Sequence, residues 1–189
     1  MTAATSTQGL TATGVPKMPF WLTIIRGVAL ILSLGVLIAA AHHLSLLGDF
    51  LRYFGGSNPA GFLIFDSIFT FLVLGGMLAS EFFAPQLYFR LAFICGLILA
   101  AIFWLSAWAW AASFASDLYR MYWYSDSNPW AASMAAGAVL GAFTWVVILV
   151  TLVFFIRACM ASPQGSTFPA RSQNDAEMNR YKLEGSVQA

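Results

Sequence analysis

Four long apolar runs of this chain hold one acid between them, Asp66, and any chemistry inside those runs has to begin there. A lone charge at bilayer depth costs on the order of 3 kcal/mol even on the most lenient insertion scale, so an intramembrane carboxyl calls for a partner or a task. His42 and His43 are the natural candidates. Counted from the ends of the apolar runs, Asp66 falls about a turn and a half inside the second, and the two histidines fall at a similar depth in the first. An antiparallel hairpin then brings one imidazole to the carboxylate, directly or through a single water. The pair reads as a polar clasp, as a proton- or ligand-sensitive site, or as a place that water reaches.

A second charged set lies at the opposite end of the same runs. Arg26 is about a turn inside the first, Glu81 closes the second and Arg90 opens the third. A guanidinium–carboxylate pair of Arg26 with Glu81 neutralises both charges, and an anionic lipid headgroup is the alternative partner. The two thiols, Cys95 and Cys159, both lie near this end, so no disulfide is expected. Cys159 follows Arg157 at the edge of the last run, a position open to S-palmitoylation or simply a small unmodified residue.

Enzymatic patterns are missing. Adjacent histidines point about 100° apart on a helix and do not ligate one metal or haem face. The chain has no Cys-x-x-Cys and no Gly-x-Ser-x-Gly. No catalytic activity, no cofactor, no metal and no nucleic-acid partner are expected. A pore finds no polar lining face in runs so rich in Phe, Leu and Ile.

The elements that carry these residues follow from the charge gaps. No charge occurs between Arg26 and Asp49, between Arg90 and Asp117, or between Asp126 and Arg157, and Gly61 to Ser80 carries Asp66 alone. A helix needs roughly 20 apolar residues to cross about 30 Å of hydrocarbon. The bulk composition agrees: the 189 residues are 60% hydrophobic and 9% charged, with a mean hydropathy of +0.76. The expected fold is an all-α membrane protein, a four-transmembrane-helix antiparallel bundle, with helices at about 20–47, 61–80, 88–116 and 130–156. This domain covers 20–159. An N-terminal tail (1–19) and a C-terminal tail (160–189), rich in Ser, Gln, Asn, Pro and Gly, are expected to be disordered and cytoplasmic. The first run reads as a signal anchor that stays attached, although cleavage at Ala39 to Ala41 would leave three spans.

Trp21, Trp130, Trp123 and Tyr119, Tyr122 and Tyr124 sit at run ends, where amphipathic rings favour the headgroup layer. Lys17, Arg26, Arg90, Arg157 and Arg171 fall on one side and Arg52 and Arg120 on the other, which puts both termini in the cytoplasm. The tail hydroxyls Ser162, Ser166, Thr167, Ser172 and Ser186 are candidate phosphate acceptors.

Lipid tails are as apolar as Leu, so helices associate through close approach at small residues. Ser133, Gly137 and Gly141 supply such a stripe on the fourth run, Gly35 and Ala39 on the first, Gly76 and Ser80 on the second, and Ala107, Ala111 and Ala115 on the third. Packing within the bundle is one use of these stripes and a homo-oligomer contact the other. Phe103, Trp104, Trp108 and Trp110 fall well inside the third run. They read as bundle packing or as a groove for a sterol or sphingolipid, with Arg90, Phe93 and Leu97 matching a loose sterol-contact pattern.

Four spans with Arg26 near the start of the first, the aromatic segment from Ile102 to Trp110, and the Ala-rich fourth run passing through Phe143, Thr144 and Trp145 to Phe154, Phe155, Ile156 and Arg157 resemble fungal MARVEL-type membrane proteins. The similarity covers roughly Lys17 to Cys159 and rests on topology and apolar texture. It implies a plasma-membrane or vesicle protein that organises lipid microdomains, membrane apposition or traffic, with membrane lipids as its partners. The reading from another class is a small transporter or lipid-handling protein with Asp66 as its working acid.

Overall fold

The structure is a computed structural model that describes residues 14–16, 18–46, 58–84, 88–121 and 129–161. The loop and tail residues singled out above, from Lys17 and Arg52 to Trp123, Tyr122, Tyr124 and the tail hydroxyls, lie outside them. Among the described residues there are four helices: α1 (Phe20–Leu46), α2 (Asn58–Phe83), α3 (Arg90–Met121) and α4 (Pro129–Ala161). Each is long and apolar enough to cross a membrane. The chain is an all-α membrane protein, a bundle of four antiparallel spans.

The helices run past the apolar stretches that announce them. The second starts at Asn58 rather than Gly61, the third continues to Met121 and the fourth to Ala161. Charges such as Asp117, Arg120 and Arg157 end an apolar run, but they do not end a helix that has left the hydrocarbon. Proline marks two starts, since Pro59 and Pro129 stand in first turns, where a missing N–H loses no bond. At 32 and 33 residues, α3 and α4 measure about 48 Å at about 1.5 Å per residue and reach well beyond about 30 Å of hydrocarbon.

The helices stand in a square. α4 packs along both α1 and α3, α2 along the same two, and the diagonal pair α2 and α4 meets at only a few positions. Because each helix is apolar all round, side-chain size and polarity decide what faces inward. Ala29, Ser33, Val36 and Ala40 of α1 are buried, as are Ala100, Ala107, Ala111 and Ala115 of α3. Phe20, Ile31, Leu72 and Phe83 are exposed, each by about 70% or more. Large apolar residues outside and small or polar ones inside is the arrangement that lipid allows and water would not.

The small-residue stripe of α4 faces inward. A Cβ on Gly137 would lie 3.2 Å from Leu63 of α2 and 4.0 Å from Ala39 of α1, and one on Gly141 would lie 3.1 Å from the Trp104 ring and 3.2 Å from Trp108 of α3. Gly35 receives Leu140 in the same way, at 3.2 Å. Among the described residues the stripe therefore serves packing within one bundle.

Candidate functional site

One end of the bundle holds a buried ionic cluster. Arg26, fully enclosed, donates from Nη1 to Glu81 Oε2 at 2.8 Å. The paired charges lie near the start of α1 and the end of α2, which antiparallel neighbours bring to one level. The second terminal nitrogen, Nη2, donates to Met18 Sδ at 2.9 Å, and the guanidinium lies 5.8 Å from the centre of the Phe155 ring. A thioether is a weak acceptor, so Glu81 carries the neutralisation.

Arg90 joins the same end. Its Nε donates to the Gly14 carbonyl at 2.8 Å, while the Gly14 N–H donates to the Tyr88 carbonyl at 3.0 Å. Gly14 adopts a φ of 101°, a conformation open to glycine, and that lets the segment before α1 fold across the start of α3. Tyr88 is buried between Phe93 and Phe155, with ring centres 4.8 and 6.2 Å away, and stands beside Arg26.

Burial pushes the Tyr88 hydroxyl well above the usual phenol range; Glu81 and Cys159 push the same way, and Arg26 opposes them. The folded chain thus holds the phenol proton more tightly than the unfolded chain does. The stability this confers is complete below the unfolded value near pH ~10 and is lost as pH rises beyond it. Melting temperature in detergent should fall across that alkaline range in the wild type and fall less in Tyr88→Phe; equal slopes would show that Tyr88 does not titrate with unfolding.

At the other end His43 is buried and His42 is exposed. His43 Nδ1 lies 3.1 Å from both the Trp130 carbonyl and Ser133 Oγ. Ser133 donates to that carbonyl at 2.9 Å, so a proton on Nδ1 bonds both oxygens at once. Trp130 Nε1 in turn donates to the Leu46 carbonyl at 3.2 Å, which ties the end of α1 to the start of α4.

Asp66 does not meet a histidine. Its carboxyl is buried, and both oxygens lack a hydrogen bond among the described residues. Depth and direction explain the difference. Because α2 begins at Asn58, Asp66 lies about 12 Å along its axis, whereas His43 lies about 4.5 Å from the end of α1. His43 also turns toward α4 rather than α2.

Further expectations change with the direction in which side chains point. Arg90, Leu97 and Trp104 are buried within the bundle, so the base–aromatic–aliphatic line of α3 is no lipid-facing groove. Phe93 is half-buried on Tyr88, and Trp108 is half-buried against Trp145 at 6.2 Å. Cys159 is fully buried, which closes it to acylation as it stands, while Cys95 is exposed.

The mid-bundle bond was not legible in the sequence. Trp104 Nε1 donates to Thr70 Oγ1 at 2.8 Å, holding the largest buried side chain across the gap between α3 and α2. A span hydroxyl facing a mid-span tryptophan is the signal that could have found it. Among the described residues no cluster of three metal-ligating side chains occurs. Comparison of the chain with family models, curated proteins and solved structures finds no match.

Proposed function

We propose that this protein is a non-enzymatic organiser of membrane lipids, a MARVEL-type tetraspan that gathers lipid microdomains or supports membrane apposition and vesicle traffic. The plasma membrane is its proposed location, a vesicle or other endomembrane the alternative, with both termini in the cytoplasm. The observation that carries this reading is the solid centre of the bundle. Trp104 is fully buried, bonded to Thr70 of α2 and pressed against the Gly141 backbone of α4, so the level at which a solute would have to pass is filled by an indole. Of the polar side chains elsewhere in the interior, Arg26 is tied to Glu81 and His43 to Ser133. What remains for interaction is the outer face, which is apolar over most of its area.

A tagged copy should distribute in patches that disperse when sphingolipid synthesis is blocked. An even distribution, unchanged by that block, would remove the reading.

The unpartnered Asp66 carboxyl favours a second reading, a small transporter or lipid-handling protein that works through this acid. Reconstituted vesicles separate the two. The organiser should give no proton- or solute-dependent flux, with Asp66→Asn indistinguishable from wild type. A flux abolished by Asp66→Asn in a folded variant would establish the transporter instead.

A further inference from the structure

The outer face is not uniformly apolar. Near the end of α3 and the start of α4 a groove of about 520 Å³ opens between the two helices, lined by Ala112, Ala115, Ser116, Tyr119 and Arg120 of α3 and by Ala135, Ala138 and Val139 of α4. The volume is that of a small-molecule site, commonly about 300–1,000 Å³. Alanines on both helices make it: with nothing beyond Cβ facing its counterpart, the two backbones leave a trough where larger side chains would have met.

The trough has a direction. Its alanine floor runs from the level of Ala112 toward Arg120, which stands exposed in the last turn of α3. Ala112 lies about 13 Å along the axis from the end of that helix, so the floor reaches into the hydrocarbon while Arg120 and the Tyr119 side chain sit at the edge. Arg120 makes no ion pair and no hydrogen bond among the described residues. Asp117, the nearest acid on the same helix, is exposed and does not line the groove.

We infer that this groove binds an anionic phospholipid, one acyl chain lying on the alanine floor and the headgroup phosphate meeting the Arg120 guanidinium beside Tyr119. An apolar trough with an exposed cation at its mouth is complementary to an amphiphile of opposite charge. A second copy of the chain fits less well. A two-fold pairing about the membrane normal sets Arg120 of one protomer at the level of Arg120 of its partner, with like charges facing in a poorly hydrated layer. The inference rests on the lipid-organising reading for its consequence in a cell, and it names the class of lipid and the residues that hold it.

The test uses the full-length chain in detergent, delipidated and then offered phosphatidylglycerol, phosphatidylcholine or diacylglycerol, with retention read by native mass spectrometry. Phosphatidylglycerol should be retained best and diacylglycerol least. Arg120→Gln should cut phosphatidylglycerol retention about tenfold, equivalent to ~1.4 kcal/mol, while Arg120→Lys keeps most of it. Ala112→Phe, which fills the trough from an exposed position, should abolish retention with Arg120 intact. Unchanged melting temperatures establish that all three variants are folded. Retention insensitive to Arg120→Gln or to Ala112→Phe overturns the inference. So does a dimer that Ala112→Phe dissociates, which would assign the groove to a second copy. Loss of patchy distribution in cells bears on the organiser reading alone, because retention in detergent is measured without it.

Discussion

Glu81→Leu should destabilise the bundle by about 3 kcal/mol, near the lower bound for breaking a buried ion pair from one side. The asymmetry of the pair makes this the more damaging half. Arg26 is fully enclosed, whereas the Glu81 side chain is 19% exposed at the bundle end. Without Glu81 the guanidinium keeps the Met18 thioether, the Phe155 ring face and the neighbouring Tyr88 phenol, none of which replaces a carboxylate. Without Arg26, in Arg26→Met, the carboxylate turns to water and the loss should be smaller. The double variant Arg26→Met/Glu81→Leu should recover most of the stability, since apolar groups of similar volume replace a buried pair at little net change. Unfolding in detergent or in mixed micelles reads all three. A neutral Glu81→Leu, or a double variant as unstable as the sum of the singles, would show that the pair does not act as a unit.

Gly141→Leu should be the most disruptive single change on α4, destabilising by about 3 kcal/mol through overpacking. Even the first carbon of the new side chain arrives 3.1 Å from Trp104 and 3.2 Å from Trp108. Trp104 has nowhere to go, being buried on all sides and bonded to Thr70. Leu140→Ala next to it removes a half-buried side chain that rests on Gly35. It should cost about 1 kcal/mol, because lipid supplies no hydrophobic penalty and only packing is lost. Hydrophobicity alone predicts the reverse order. A thermal series in which Gly141→Leu is neutral and Leu140→Ala is not would mean that α3 and α4 are not held this closely.

What the sequence revealed and what it hid divide along one physical line. Position along a helix is written in the charges: the four spans, and the meeting of Arg26 with Glu81, follow from where apolar runs stop. Close approach is written in size, and the Gly137 and Gly141 stripe packs where its spacing indicates. Rotation about the helix axis is poorly written in a helix that is apolar on every side. Arg90, Leu97, Trp104 and Cys159 therefore turn inward, which decides for bundle packing where lipid contact or acylation was the other reading, and His43 faces Ser133 rather than Asp66. The Asp66 expectation also depended on three residues at the start of α2, enough to sink the carboxyl by most of a turn.

The bonds across the Arg26 end join residues far apart in the chain: 55 positions separate Arg26 from Glu81, and 76 separate Gly14 from Arg90. A ribosome making this protein therefore delivers the arginine of the first span long before the carboxylate that neutralises it. Until the second span follows, the first has an uncompensated cation about a turn inside its start, and the segment before it has no Tyr88 or Arg90 to lie against. Insertion of the first two helices as one hairpin resolves the charge. Seating of the segment around Gly14 waits for the third helix to begin, which makes it later to settle than the first two helices although it is made before them.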